Sequence, residues 1–260
     1  MRSMSTVLVS RSGSIATLVL NRPERLNAVN AELYRTLVEE LTAADFDPGI
    51  RCVVLTGAGR AFCVGADLKA HKSATMTPAE QARYVELGQR ACEQIQTMST
   101  PVVAAVNGYA LGAGAELAVS ADFLVMAEDA QMGFPEVSIG TFVGGGVTNR
   151  LPRLVGLRRA TDMLILGERF TGRQALDWGL AHSAVTGDLL LSSAQALAET
   201  LAAKAPLALA RMKAALHRDD PLDVALATEP RELLALMATR DWAEGVAAFA
   251  ERRTPVFEGK

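Results

Sequence analysis

Short β-rich runs alternate with helical patterns through the first half of the chain, and this alternation constrains the fold more than any other feature. Residues 6–10 and 15–21 predict two strands joined by a polar turn that contains Gly13. A helical pattern starts after Asn30 and stops at Asp47. Strand, helix and strand follow at residues 51–56, 78–98 and 102–106, and another helix opens near residue 113. This order predicts an α/β fold with short strands.

The second half of the chain is different, because helical patterns broken by Gly and Pro dominate it from about residue 156. We therefore predict a core with the functional site in residues 1–195 and a C-terminal helical region in residues 196–260. With 50% apolar and 21% charged residues, the chain has the composition of a soluble globular protein.

Charge and cysteine usage exclude several function classes. The net charge of −3 gives no basic footprint for nucleic acid or for an anionic membrane. Apolar runs stay well short of the roughly 18 residues of a membrane helix, and the N-terminus has no secretory h-region. Cys52, Cys63 and Cys92 are odd in number and widely spaced, which argues against disulfides and a zinc site. The expected location is the cytoplasm.

A glycine-rich turn at Gly112-Ala113-Gly114 follows a strand and opens a helix, so a dinucleotide-binding turn is one interpretation. It is disfavoured because Leu117 occupies the third position of GxGxxG, where close packing needs a small residue. A P-loop is absent, and Glu136 stands where a GxSxG nucleophile elbow around Ser138 needs glycine.

A helix start of this kind can also bind an anion, or an oxygen that becomes one, with its unpaired backbone N–H groups. The N–H of Ala113 is the candidate donor, and Glu116 follows one turn later in an apolar setting. Glu136 is a second isolated acid, in a loop of apolar and small residues. Each glutamate alone would pass for a solvated surface group, but a buried carboxyl has a raised pKa and can exchange protons near neutrality.

The segment AFCVGADLK, residues 61–69, has the same character. Gly65 and Ala66 expose a backbone N–H, Asp67 could cap the next element, and Lys69 offers a positive charge to a phosphate or an adenine edge. Cys63 between two apolar residues predicts a buried, inert thiol. The three histidines predict surface or packing roles.

Several segments together resemble the enoyl-CoA hydratase/isomerase (crotonase) family, in the right order and over nearly the whole chain. They are RPERLNAV, CVVLTGAGRAFCVGADLK, PVVAAVNGYALGAGAELAVSAD, FPEVSIG, GGGVTNRLPRLVG and FTGRQALDWGL. The resemblance implies a spiral of ββα units followed by C-terminal helices that build a homotrimer, with two trimers often stacked into a homohexamer. It also implies an acyl-CoA thioester substrate, no separate cofactor and no metal.

The resemblance assigns site residues by position. Glu116 and Glu136 match the two catalytic carboxylates, and the backbone N–H groups of Ala66 and Ala113 match the oxyanion hole. Pro135 and Gly144 match positions beside the substrate and the catalytic water. The expected coenzyme A contacts are Arg25, Leu26, Ala28, Asp67, Leu68 and Lys69, with Phe257 and Lys260 reaching a neighbouring subunit's ligand.

Two acids rather than one favour hydration of a trans-2-enoyl-CoA. The alternatives are isomerisation or thioester hydrolysis on the same scaffold, a non-catalytic acyl-CoA-binding homologue, and a nicotinamide oxidoreductase.

Overall fold

The computed structural model describes residues 5–67, 76–218 and 220–260. The larger of its two β-sheets has six strands. Its strands lie in the order β1-β2-β3-β5-β7-β10, antiparallel between the first two and parallel elsewhere. Their bounds are Val7–Ser12 (β1), Ile15–Leu20 (β2), Cys52–Gly57 (β3), Val102–Val106 (β5), Phe123–Ala127 (β7) and Ser183–Val185 (β10).

A four-stranded sheet takes the remaining strands, in the order β4-β6-β8-β9. These are Ala61–Cys63 (β4), Tyr109–Leu111 (β6), Gln131–Gly133 (β8) and Phe170–Thr171 (β9). The first two pairs are parallel and the last is antiparallel. From β3 to β8, consecutive strands therefore enter alternate sheets, and the pairs β1–β2, β3–β4, β5–β6 and β7–β8 are each followed by a helix. This repeat is the spiral of ββα units that the resemblance implied, so the expected fold class is confirmed.

Nine α-helices connect or follow the strands in the described part of the chain. They are Ala31–Phe46 (α1), Pro78–Thr97 (α2), Ala113–Ser120 (α3), Val147–Thr161 (α4), Gly172–Asp177 (α5), Leu190–Ala202 (α6), Pro206–His217 (α7), Leu222–Met237 (α8) and Arg240–Glu251 (α9). The predicted caps are present: Asn30 accepts from Leu33 N at 2.8 Å, and Thr77 and Glu80 form a capping box.

Two clusters of buried side chains form the core. The larger one lies among the strands and helices α1 to α3, and includes Leu33, Leu55 and Leu117. In the smaller one α6 packs on the other face of the six-stranded sheet, with Ala194 and Ala198 against strand residues. The helix α6 runs across residue 195, and the division of the chain there stays a prediction.

Within a single chain, the C-terminal helices α8 and α9 bury few of their side chains. Helix α8 has no buried residue, although Leu226, Leu233 and Leu234 lie on it. Among the described residues, no helix combines the length and hydropathy that crossing a membrane requires.

Candidate active site

Glu116 lies one turn inside α3, whose N-cap is Gly112 with a φ of +53° and a ψ of −124°. Only glycine adopts this conformation readily, so the turn needs a glycine at this position. The neighbours of Glu116 on the helix, Ala115 and Leu117, are fully buried, and Glu116 itself is only 8% exposed. The helix therefore places a carboxylate inside the protein, as the sequence predicted.

The Glu116 carboxylate accepts a hydrogen bond from the backbone N–H of Gly144 at 2.7 Å. Burial, together with the nearby charge of Glu136, raises the pKa of Glu116 to about 7 against the lowering effect of this N–H. A methyl group on Gly144 would stand 3.2 Å from Glu116 Oε2, so the backbone of Gly144 closes one side of the carboxylate.

Glu136 opens a short 3-10 helix, Glu136–Ile139, directly after the half-buried Pro135. It is 7% exposed, and burial raises its pKa. A methyl group on Gly112 would stand 2.8 Å from Glu136 Oε1. Glu136 Oε2 is buried without a hydrogen-bond partner among the described residues. Glu136 thus contacts the N-cap of the helix that carries Glu116, and the structure brings the two predicted acids to one place.

The backbone N–H groups of Ala66 and Ala113 lie on adjacent segments. Gly65 faces the start of α3, where a methyl group on its Cα would stand 2.8 Å from Leu111 O and 3.6 Å from Ala113 N. Ala66 forms a parallel bridge with Val29 in which Gly65 O and Asp67 N make the hydrogen bonds.

In such a bridge the N–H of the central residue points away from the partner strand. Neither the Ala66 nor the Ala113 amide makes a hydrogen bond within the described residues outside regular helices and sheets. Both residues are half-buried, so a ligand can reach them. Their role as donors to one oxygen atom stays a prediction.

The predicted coenzyme A contacts have varied environments. Arg25 is exposed, Leu26 is half-buried with a φ of +51°, and Ala28 is buried. Asp67 is 7% exposed and forms an ion pair with Arg22 at 3.0 Å. The carboxylate of Asp67 therefore holds the loop before Val29 in place. Leu68 and Lys69 lie outside the described residues.

The segment with Phe257 and Lys260 folds back on α9. The carbonyl oxygen of Lys260 accepts from Arg240 N at 2.7 Å, and Asp241 accepts from the backbone N–H groups of Glu258 and Gly259. Phe257 is half-buried and the Lys260 side chain is exposed. Their predicted role at a neighbouring subunit stays a prediction.

Three contacts in this region were not predicted from the sequence. Gly112 fits against Glu136, and Gln89 and Gln96 of α2 make hydrogen bonds to the loop that carries Gly144. The two glutamines are seven residues apart on a helix, which places them on one face. This spacing is a weak signal, since it does not reveal which loop the face meets.

The arrangement suits proton transfer to and from a ligand whose oxygen atom accepts hydrogen bonds from backbone N–H groups. Two buried carboxyl groups with raised pKa values can take up and release protons, and backbone N–H donors can stabilise negative charge on an oxygen atom. Within the described residues, no group of three or more His, Cys, Asp or Glu side chains could hold a metal ion.

Comparison with known proteins gives a consistent result. The Enoyl-CoA hydratase/isomerase family profile matches residues 10–260. The 2,3-dehydroadipyl-CoA hydratase of Escherichia coli (strain K12) is 40% identical over 259 residues, which are 99% of this chain and 100% of that protein. The crotonyl-CoA hydratase of Syntrophomonas wolfei is 34% identical, with 98% of both chains covered.

Solved structures show the same similarity in three dimensions. The crystal structure of an enoyl-CoA hydratase from Bacillus anthracis superposes with a TM-score of 0.94 at 34% identity, covering 98% of this chain and 100% of that one. The sequence, the fold and the paired carboxyl groups lead to one conclusion: this chain belongs to the enoyl-CoA hydratase/isomerase family.

Proposed function

We propose that the protein is an enoyl-CoA hydratase, which adds water syn across the 2,3 double bond of a trans-2-enoyl-CoA to give a 3-hydroxyacyl-CoA. The observation that carries this proposal is the pair of buried glutamates, Glu116 and Glu136, which have raised pKa values and lie close enough for the charge of Glu136 to act on Glu116. Hydration needs one group to take a proton from water and another to give a proton to carbon, and two such carboxyl groups meet that need.

In the proposed mechanism, the N–H groups of Ala66 and Ala113 hold the thioester oxygen. Ionised Glu116 removes a proton from water as the water oxygen bonds to carbon 3. The electron pair of the double bond moves to the thioester oxygen as an enolate, which the two N–H groups stabilise. Glu136, in its protonated form, then gives its proton to carbon 2. Proton exchange with solvent returns both carboxyl groups to their starting states.

The substrate would lie between the two halves of the site. Gly144 leaves room for the water beside Glu116, and Pro135 borders the acyl group. Arg25, Leu26 and Ala28, with the backbone of residues 66–69, would line the path of coenzyme A. Phe257 and Lys260 would approach the adenine bound to a neighbouring subunit.

A panel of acyl-CoA substrates tests the reaction class. We expect crotonyl-CoA to lose its enoyl thioester absorbance with purified protein, and a 3-hydroxyacyl-CoA to form. The panel should include 2,3-dehydroadipyl-CoA, because the E. coli relative is named for it. Conversion of a 3-enoyl-CoA without hydration of any 2-enoyl-CoA would instead favour an isomerase, and release of free coenzyme A would favour a hydrolase.

We also propose that the chain assembles as a homotrimer or homohexamer. The support is the apolar surface that α8 and α9 leave exposed, with Leu226 at 59%, Leu233 at 56% and Phe249 at 88% exposure. Large apolar side chains exposed in such numbers are typical of subunit interfaces. Light scattering should give about three or six times the 27.6 kDa of one chain, and a monomer mass at micromolar concentration would contradict this proposal.

A further inference from the structure

One face of α2 holds the loop that supplies the hydrogen bond to Glu116. Gln89, Cys92 and Gln96 lie on this face, and buried Gly145 fits against it with a φ of +62°. A methyl group on Gly145 would stand 2.7 Å from Cys92 Sγ and 3.4 Å from Glu116 Cβ. The loop backbone therefore lies directly between α2 and the carboxylate-bearing helix.

The two glutamines hold Gly145 at both of its backbone polar groups. Gly145 N donates to Gln89 Oε1 at 2.9 Å, and Gly145 O accepts from Gln96 Nε2 at 3.0 Å. Gln96 Nε2 also lies 3.2 Å from Ser120 Oγ, which in turn donates to Glu116 O at 2.8 Å. Gly145 N belongs to the planar peptide group between Gly144 and Gly145, so holding Gly145 also fixes the place of the Gly144 Cα, from which the Gly144 N–H extends toward Glu116.

We propose that Gln89 and Gln96 are positioning residues for the reaction: they hold Gly145 from two sides and thereby aim the Gly144 N–H at the Glu116 carboxylate. This inference rests on the proposed hydratase function. It extends that function to α2, because neither glutamine touches the carboxyl groups directly. Their action passes through the backbone of Gly144 and Gly145.

The surroundings of Glu116 make the effect measurable by pH. Other titratable groups face it from α1, α2, β4 and the 3-10 helix: Tyr34, Tyr84, Cys92, Cys63 and Glu136. Burial raises the pKa of each of these tyrosines and cysteines, so they stay neutral in a neutral assay. Among these groups, Glu136 is therefore the one whose charge raises the pKa of Glu116 in such an assay. The hydrogen bond from the Gly144 N–H lowers the pKa of Glu116 and so opposes that effect.

The test compares kcat against pH for the parent and for Gln96→Met, which keeps the side chain's length but removes its donor. In a plot of kcat against pH, the parent should have an acid limb near pH 7, where Glu116 takes up a proton. A weakened Gly144 hydrogen bond should move this limb upward by about 0.5–1 pH unit. At pH 7 kcat should fall about two- to fivefold and recover as the pH rises, while KM changes less than about twofold. Gln89→Met should shift the limb in the same direction, by less, because Gln89 is exposed to water that can replace its bond.

Two matched variants control the test. Gln81→Met changes an exposed glutamine near the start of α2 and should leave the profile unchanged. Gln89→Glu keeps the acceptor for Gly145 N, and at high salt, which screens the added charge of this exposed side chain, it should restore the parent limb. If Gln96→Met lowers kcat equally at every pH, or leaves kcat unchanged while the parent hydrates crotonyl-CoA, the positioning role is wrong. A parent without hydratase activity would instead contradict the proposed function.

Discussion

Replacing Glu136 by glutamine is expected to lower kcat for hydration of crotonyl-CoA by about 10²- to 10⁴-fold, the usual contribution of a general acid or base. Glutamine has the size of glutamate but has no proton to give to carbon 2. Burial raises the pKa of Glu136, which favours the protonated form that the proposed step needs. The measurement is kcat by loss of enoyl thioester absorbance, with circular dichroism to verify folding.

Glu116→Gln should lose activity on the same scale for a different reason. Its amide oxygen can still accept from Gly144 N, so the loop keeps its partner, but the side chain no longer takes a proton from water. The double variant should be little slower than the slower single variant, because groups that act together in one step do not contribute additively.

Glu39→Gln, an exposed position on α1, serves as the control and should be fully active. Hydration at the parent rate by Glu136→Gln would remove Glu136 from the mechanism. Hydration at that rate by Glu116→Gln would equally remove the proposed base.

The second large effect concerns stability, at a buried charge cluster where α7 meets the C-terminal end of α3. Lys213 Nζ lies 2.8 Å from Asp122 Oδ2, and both side chains are about nine-tenths buried. Lys213 also donates to Ile95 O at 2.9 Å. His217 Nε2 lies 3.3 Å from Asp122 Oδ1, and its Nδ1 lies 3.1 Å from Arg150. The cluster fastens α7 to the core.

Lys213→Met should destabilise the fold by about 3–5 kcal/mol, because it leaves the buried Asp122 carboxylate without its lysine. The pKa directions within the pair differ. Burial lowers the pKa of Lys213 despite Asp122, whereas His217 and Lys213 hold the pKa of Asp122 below its ordinary value. Because both side chains are buried, removing either one leaves the other charge without its partner, and the pair is costly to separate.

Denaturant unfolding of Lys213→Met, Asp122→Asn and the double variant measures this coupling. The double variant should lose less than the two single losses together. Because Asp122 has a lowered pKa in the folded state, its contribution is complete above the ordinary carboxyl range and is lost as the pH falls through the folded-state pKa. Lys204→Met, at an exposed lysine, should change stability little. Strictly additive losses would show that Lys213 and Asp122 do not act as a pair.

Local chemistry in the sequence was enough to determine most of the elements. Asn30 and Thr77 are caps because their side chains reach the free N–H groups of the next turn, an interaction that spans three residues. The strand at Val102–Val106 was predicted with the bounds that the structure has. The glycine-rich turn before Glu116 and the loop with Glu136 were recognisable because their residue types suit an exposed backbone and little else.

Contacts between distant segments were decided only by the tertiary structure. Gly112 against Glu136, Gly144 against Glu116, and the two glutamines of α2 on Gly145 join positions 24 to 56 residues apart, and no local periodicity encodes such pairs. His217, without a partner in the nearby sequence, meets Asp122 and Arg150 only when α7 docks. The sequence alone could identify the two acids, but their raised pKa values depend on burial and, for Glu116, on the charge of Glu136, and these conditions exist only after the chain has folded.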